Sequence, residues 1–211
     1  MYEKEKQELL NICMEMVDRD LVVGSAGNTS MRVDEHIIIT PSSVRYSEMN
    51  PEDFMVMDMN ADVIEGDRNP STELPMHLAV YKNRNDALAI VHSHSIYASA
   101  MALLNKSLPP ILDELVPKLG GEIKVTSYEM PGSSELGNRV VEAMELRSAV
   151  LIGNHGALCC GSSSREALDV AILLERACKI YMIALQLGTP SQLPEDVVEM
   201  ESDLWQMLKG Y

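Results

Sequence analysis

The residues best suited to chemistry are His92 and His94, separated by Ser93 and preceded by the apolar run Leu88-Ala89-Ile90-Val91. A short apolar run of this kind reads as a buried strand. Side chains at i and i+2 of a strand leave the same face, so both imidazoles can converge on one ion. His155, between Asn154 and Gly156, closes a second such run, Ala149-Val150-Leu151-Ile152. Three imidazoles suit Zn²⁺ or another divalent transition metal and leave a coordination position for chemistry. The competing account makes each an ordinary hydrogen-bonded histidine at a strand end. Spacing alone leaves both open.

Elements must bring these residues together. Residues 3–19 place Leu9, Leu10, Ile12, Cys13, Met16 and Val17 at helical spacing. Gly24 to Ser30 is too small and glycine-rich to be the interior of an element. Met31–Val33 and His36–Thr40 read as a hairpin turning at Asp34-Glu35, and Phe54–Met59 with Val63–Glu65 as another strand pair. Ser71-Thr72-Glu73 opens a helix in whose first turn Glu73 and Pro75 sit. Ile96–Leu104 forms a short helix, and 111–119 is ambiguous between strand and helix. Ile123–Ser127 reads as a strand, Ser134–Leu146 as a helix, and Ala157–Cys160 as a pairing partner of the run before His155. Ser164 caps a long helix stopped by Gly188 and Pro190, and Pro194 opens a last one. His36 reads as an edge-strand residue and His77 as a helix residue. Helices and strands intermix without a strict β-α-β rhythm, and hairpins are frequent. The expected fold is a single α/β domain over residues 1–211, with a mainly antiparallel sheet flanked by helices.

Composition narrows the partners. A chain of 211 residues, 46% hydrophobic, buries a substantial core, in which 15 methionines fill gaps that its single Phe and Trp leave. The net charge of −15 argues against nucleic acid or an anionic membrane surface as a partner. Cys13, Cys159, Cys160 and Cys178 show neither metal-site nor secreted-disulfide spacing. With no signal peptide and no apolar run long enough to span a bilayer, the expectation is a soluble cytoplasmic protein.

Three small polar loops accompany the histidines: Gly27-Asn28-Thr29-Ser30, Thr40-Pro41-Ser42-Ser43, and Ser71-Thr72 at a helix start. Each offers hydroxyls and backbone N–H groups to a phosphate, although each also reads as an ordinary turn or cap. No glycine-rich dinucleotide motif or P-loop lysine is present. Glu73 either favours its helix terminus or serves the metal as a fourth ligand or proton shuttle.

Together with His92-Ser93-His94 and Asn154-His155-Gly156, these motifs occur in the order and spacing of the class II aldolase/adducin family. The chain resembles that family from about residue 5 to about residue 190, most closely its L-fuculose-1-phosphate aldolases. The resemblance implies a three-layer α/β/α fold and a homotetramer with active sites at subunit interfaces. It implies one divalent metal per subunit, commonly Zn²⁺ with Mn²⁺, Co²⁺ or Fe²⁺ as alternatives, on His92, His94 and His155. Glu73 would ligate the resting metal and act as the catalytic acid/base, and the phosphate would lie against Asn28, Ser42, Ser43, Ser71 and Thr72. The implied reaction is retro-aldol cleavage of a ketose 1-phosphate, such as L-fuculose 1-phosphate, to dihydroxyacetone phosphate and an aldehyde such as lactaldehyde, without a Schiff-base lysine. Where the fuculose enzymes carry a tyrosine from a neighbouring subunit, this chain has Asp113-Glu114. That puts the aldehyde in question, with Tyr211 as another source of a phenol. Cleavage of 5-deoxyribulose or methylthioribulose 1-phosphate stays open. So do pentulose-phosphate epimerisation, which an Asp at Glu73 and a longer segment before His155 would suit better, and methylthioribulose-phosphate dehydration. An adducin-like interaction module would lack the histidines.

Overall fold

Alternating side chains make one sheet with two buried faces in the computed structural model, which describes residues 1–211. In β2 (His36–Ile39) Ile38 joins one core while Ile37 and Ile39 join the other. The same alternation holds in β3 (Met55–Asp58), β5 (Ala89–Ser93), β6 (Ala149–Ile152) and β7 (Gly156–Gly161). With β1 (Asn28–Val33) and β4 (Val63–Glu65), the sheet order is β4-β3-β2-β1-β5-β7-β6, and every pair of neighbouring strands is antiparallel. Helices α1 (Glu3–Asp18), α3 (Ile96–Leu103) and α6 (Ser164–Leu187) cover one face. Helices α2 (Leu74–Asn83) and α5 (Ser134–Met144) cover the other. A short α4 (Val116–Leu119) packs against α7 (Glu195–Lys209). This is the expected three-layer α/β/α architecture. No helix is long and apolar enough to cross a membrane.

Several local expectations are corrected. Asn28, Thr29 and Ser30, expected in a loop, are the buried first half of β1. Their small polar side chains find partners on both faces, Thr29 at Cys13 of α1, and Asn28 and Ser30 at α2. Residues 123–127 form no full strand. Ile123 bridges Leu108, and Val125 makes a single parallel bridge to Leu151 of the edge strand β6. The ambiguous 111–119 piece is a turn followed by α4. His36 begins an internal strand rather than an edge one, its Nδ1 at 2.9 Å from the Tyr2 hydroxyl. Ser163, not Ser164, caps α6, accepting from the Glu166 N–H at 3.1 Å.

Candidate active site

Two strand ends and one turn carry the histidines. His92 is the fourth of the five residues of β5, and His94 lies just beyond the strand's end. His155, expected to close β6, instead occupies the Gly153-Asn154-His155 turn between β6 and β7. Because β7 pairs with β5 up to Ser93–Ala157, that turn lies beside the end of β5. The approach is close enough to exclude a side chain at Gly156, where a Cβ would stand 2.2 Å from the Ser93 carbonyl oxygen and 3.1 Å from His94 Cδ2. Gly27, at φ +75°, brings β1 against the same strand; a Cβ there would lie 2.7 Å from the His92 carbonyl oxygen.

The three rings stand almost symmetrically. Every pair of ring centroids is 4.8 Å apart, with interplanar angles of 71–74°. His92 Nδ1 lies 2.9 Å from the Ala157 carbonyl, to which it donates, so Nε2 faces the centre of the triangle. His94 Nε2 is 2.9 Å from His92 Nε2.

Glu73 completes the cluster from α2. It is the N-cap residue rather than part of the first turn, with φ −95° and ψ 11°, and its side chain makes no capping hydrogen bond. The carboxylate points into the histidines. Oε2 is 3.0 Å from His92 Nε2 and accepts from Asn28 Nδ2–H at 2.8 Å, while Oε1 is 3.4 Å from His155 Nε2. Burial works to raise this carboxyl, but His92, then His155 and the Asn28 amide, outweigh it and hold the group well below the usual carboxylate range. Burial, reinforced by His92, lowers His155 and draws His94 down to about 4. Those two imidazoles are neutral near pH 7, with lone pairs available for coordination.

This donor set fits a divalent transition metal. One ligand atom from each of Glu73, His92, His94 and His155 lies within 4.8 Å of all the others, the nitrogen–oxygen set such ions take. Glu73 Oε1 is buried without a hydrogen-bond partner, an arrangement that is costly unless something positive meets it.

The hydroxyl loops lie beside the cluster. Ser71 N–H donates to the Thr40 carbonyl at 3.0 Å and Ser42 N–H to the Asn69 carbonyl at 2.9 Å, joining the 40–43 and 69–73 segments. Ser71 is buried, and its Oγ accepts from Glu73 N–H at 3.2 Å; Thr72 and Ser43 are exposed. Asn28 is buried, its amide committed to Glu73 and His77. The three residues considered for the aldehyde side stand elsewhere in this chain. Asp113 is exposed, Glu114 pairs with Arg176 of α6, and Tyr211 is engaged by Arg84 and Asp86.

Sequence reasoning passed over His77. It is fully buried on α2, with Nε2 2.5 Å from Asn28 Oδ1 and Nδ1 2.6 Å from Ser30 Oγ. Burial, with His92 adding, pushes it down to about 3, so it is neutral. Its position four residues after Glu73, on the same helix face, was the available signal.

Known proteins resemble this chain over most of its length. The profile of the Class II Aldolase and Adducin N-terminal domain matches residues 7–182. A 5-deoxy-D-ribulose 1-phosphate aldolase of Bacillus thuringiensis is 36% identical over 213 residues, spanning 100% of this chain and 98% of that protein. An L-fuculose phosphate aldolase of Escherichia coli is 31% identical over 193 residues, 92% of this chain and 89% of that protein. Among solved structures, an L-fuculose 1-phosphate aldolase superposes with a TM-score of 0.91 at 35% identity, over 95% of each chain. The chain belongs to the class II aldolase and adducin family. Within that family it stands with the enzymes: it is a class II aldolase, a carbon–carbon lyase.

Proposed function

We propose that residues 1–211 act as a single domain that cleaves a ketose 1-phosphate by retro-aldol chemistry, releasing dihydroxyacetone phosphate and a short aldehyde. The observation that carries this reading is the convergence of His92, His94, His155 and Glu73 beside the joined hydroxyl loops. Ser42, Ser43, Ser71 and Thr72 would hold the phosphate with their hydroxyls and with the backbone N–H groups of Ser43 and Thr72, and Asn28 would flank the phosphate site at its end nearest Glu73. Bound to His92, His94 and His155, a divalent ion, Zn²⁺ by preference and Mn²⁺, Co²⁺ or Fe²⁺ otherwise, would supply Lewis acidity toward the ketose oxygens. Glu73, ionised and with Oε1 free of any hydrogen bond, moves the proton at C3. Four buried free thiols suit a reducing cytoplasm.

L-Fuculose 1-phosphate, cleaved to lactaldehyde, is the substrate type the motifs suggest. The 5-deoxyribulose type is a second reading, favoured by the relative aligned over the whole chain and by acids rather than a phenol at Asp113-Glu114. A panel of L-fuculose, 5-deoxyribulose and 5-methylthioribulose 1-phosphates, assayed for dihydroxyacetone phosphate, tests the proposal. Release is expected from at least one. Epimerised or dehydrated product without any dihydroxyacetone phosphate would replace the aldolase reading with one of its alternatives.

The substrate side of this site stands open at Thr72 and Ser43. Residues 126–132 run from Gly153 to Thr72 and leave Tyr128 and Met130 exposed at 60% and 70%. These features support closure by a second copy of the chain, with Asp113, Glu114 or Tyr211 reaching a neighbour's site in a symmetric homotetramer. Light scattering at assay concentration is expected to give four chains per particle. A fully active monomer would rule this assembly out.

A further inference from the structure

Helix α2 and strand β1 meet through polar side chains where apolar ones would pack as well. Tyr81 stands eight residues after Glu73 and four after His77, on the same face of the helix. Asn28 and Ser30, two apart on β1, face it. The side chains interdigitate in one hydrogen-bonded row. Tyr81 OH is 2.7 Å from Ser30 Oγ, Ser30 Oγ 2.6 Å from His77 Nδ1, His77 Nε2 2.5 Å from Asn28 Oδ1, and Asn28 Nδ2 2.8 Å from Glu73 Oε2. All four residues beyond Glu73 are buried, none more than 4% exposed.

The row runs in one direction only. An ionised carboxylate accepts and cannot donate, so Asn28 turns its NH₂ to Glu73 and its carbonyl oxygen to His77. His77 then donates from Nε2 and accepts at Nδ1 from the Ser30 hydroxyl, whose oxygen accepts from Tyr81. Rotated by half a turn, the Asn28 amide would set its oxygen against the carboxylate and leave Glu73 Oε2 with His92 alone. His77 is the donor that forbids this rotation.

We propose that His77 is a positioning residue for the aldolase reaction. By fixing the Asn28 amide, it anchors Glu73 Oε2 and keeps Oε1 free for the proton at C3. The proposal rests on the reading of Glu73 as the acid/base.

The test uses the metal-loaded protein and hydrogen–deuterium exchange at C3 of dihydroxyacetone phosphate, which needs no aldehyde. His77→Phe is expected to keep its metal and its KM while kcat for exchange falls by about 10- to 100-fold, the usual effect of losing a residue that orients the groups around a metal. His77→Gln, whose amide N–H can reach Asn28 Oδ1, should recover most of that loss. In an Asn28→Ala background, His77→Phe should add nothing, because its effect travels through Asn28. The metal-free protein supplies a readout independent of turnover. The Asn28 side-chain amide protons, identified by NMR through their absence in Asn28→Ala, should exchange with solvent at least about tenfold faster in His77→Phe than in the parent. If the phenylalanine does not fold at this site, His77→Asn, polar but too short to reach Asn28, replaces it in every comparison. Parent-like kcat in the folded variant, equal losses with Gln and Phe, or an undiminished loss in the Asn28→Ala background would overturn the proposal. Glu73→Gln separates the two levels. Parent-like exchange there removes the acid/base reading itself, whereas loss there with full exchange in His77→Phe removes only the positioning role.

Discussion

Glu73→Gln should slow hydrogen–deuterium exchange at C3 of dihydroxyacetone phosphate by at least about a hundredfold, the lower end of what losing a general base costs. The substitution is nearly isosteric, and the site accommodates it. Asn28 Nδ2–H and His92 Nε2 both face the Oε2 position, at 2.8 and 3.0 Å. Of these Asn28 is the donor, so the glutamine turns its carbonyl oxygen toward Asn28 and sets its NH₂ at the Oε1 position. An amide cannot take the C3 proton at any accessible pH. A residue that merely favoured the start of α2 would behave differently, because Glu73→Gln would then cost only about 0.3–1 kcal/mol of stability and leave turnover nearly intact. The absence of a capping hydrogen bond from the Glu73 side chain already argues against that role. Equal exchange rates in the metal-loaded parent and variant would remove Glu73 from the mechanism.

His94→Ala should empty the site and abolish turnover together. His94 lies beyond the last residue of β5, so its removal leaves the strand ladder untouched, whereas His92 is buried within that ladder at 0% exposure. Two imidazoles and a carboxylate remain, three of the four donors and one imidazole short of the His₃ set. Changing a residue that only orients a ligand costs about 10- to 100-fold in metal affinity, and deleting a ligand should exceed about 100-fold. Elemental analysis after dialysis should find a divalent metal in the parent at one per chain and almost none in the variant. An unchanged circular dichroism spectrum would exclude unfolding as the cause. Full occupancy in His94→Ala would sink the ligand assignment.

The two strongest features of the site were visible as spacing. His92 and His94 are two apart after an apolar run, and His155 follows another. Antiparallel pairing of β5 with β7 brings the two ends together. What spacing hides is a partnership across the chain. Asn28, Thr29 and Ser30 are small and polar, so they read as a loop, yet they form a buried strand because α1 and α2 supply polar partners on both faces. His77 looked idle for the same reason, since Asn28, its partner, is 49 residues away in sequence. A polar stripe at 73, 77 and 81 on a helix that is otherwise mostly apolar is the pattern that would have exposed it. The 123–127 segment failed in the opposite sense. Its residues favour a strand, but beside the edge strand β6 it makes only one bridge. Propensity without a full partner does not complete a strand.

Ser71, Thr72 and Glu73 are consecutive residues, and Ser71 together with nearby Asn69 joins them to the 40–43 segment through two backbone hydrogen bonds. On the proposed assignment, the grip on the phosphate and the proton-moving carboxylate share one short span of backbone, so the distance between them does not vary with the rest of the substrate. The three-carbon half common to every ketose 1-phosphate is then read by the scaffold. The half that differs is read by side chains outside that span. Such a division lets descendants of one gene change their aldehyde through rim substitutions while the bond-breaking machinery stays as it was.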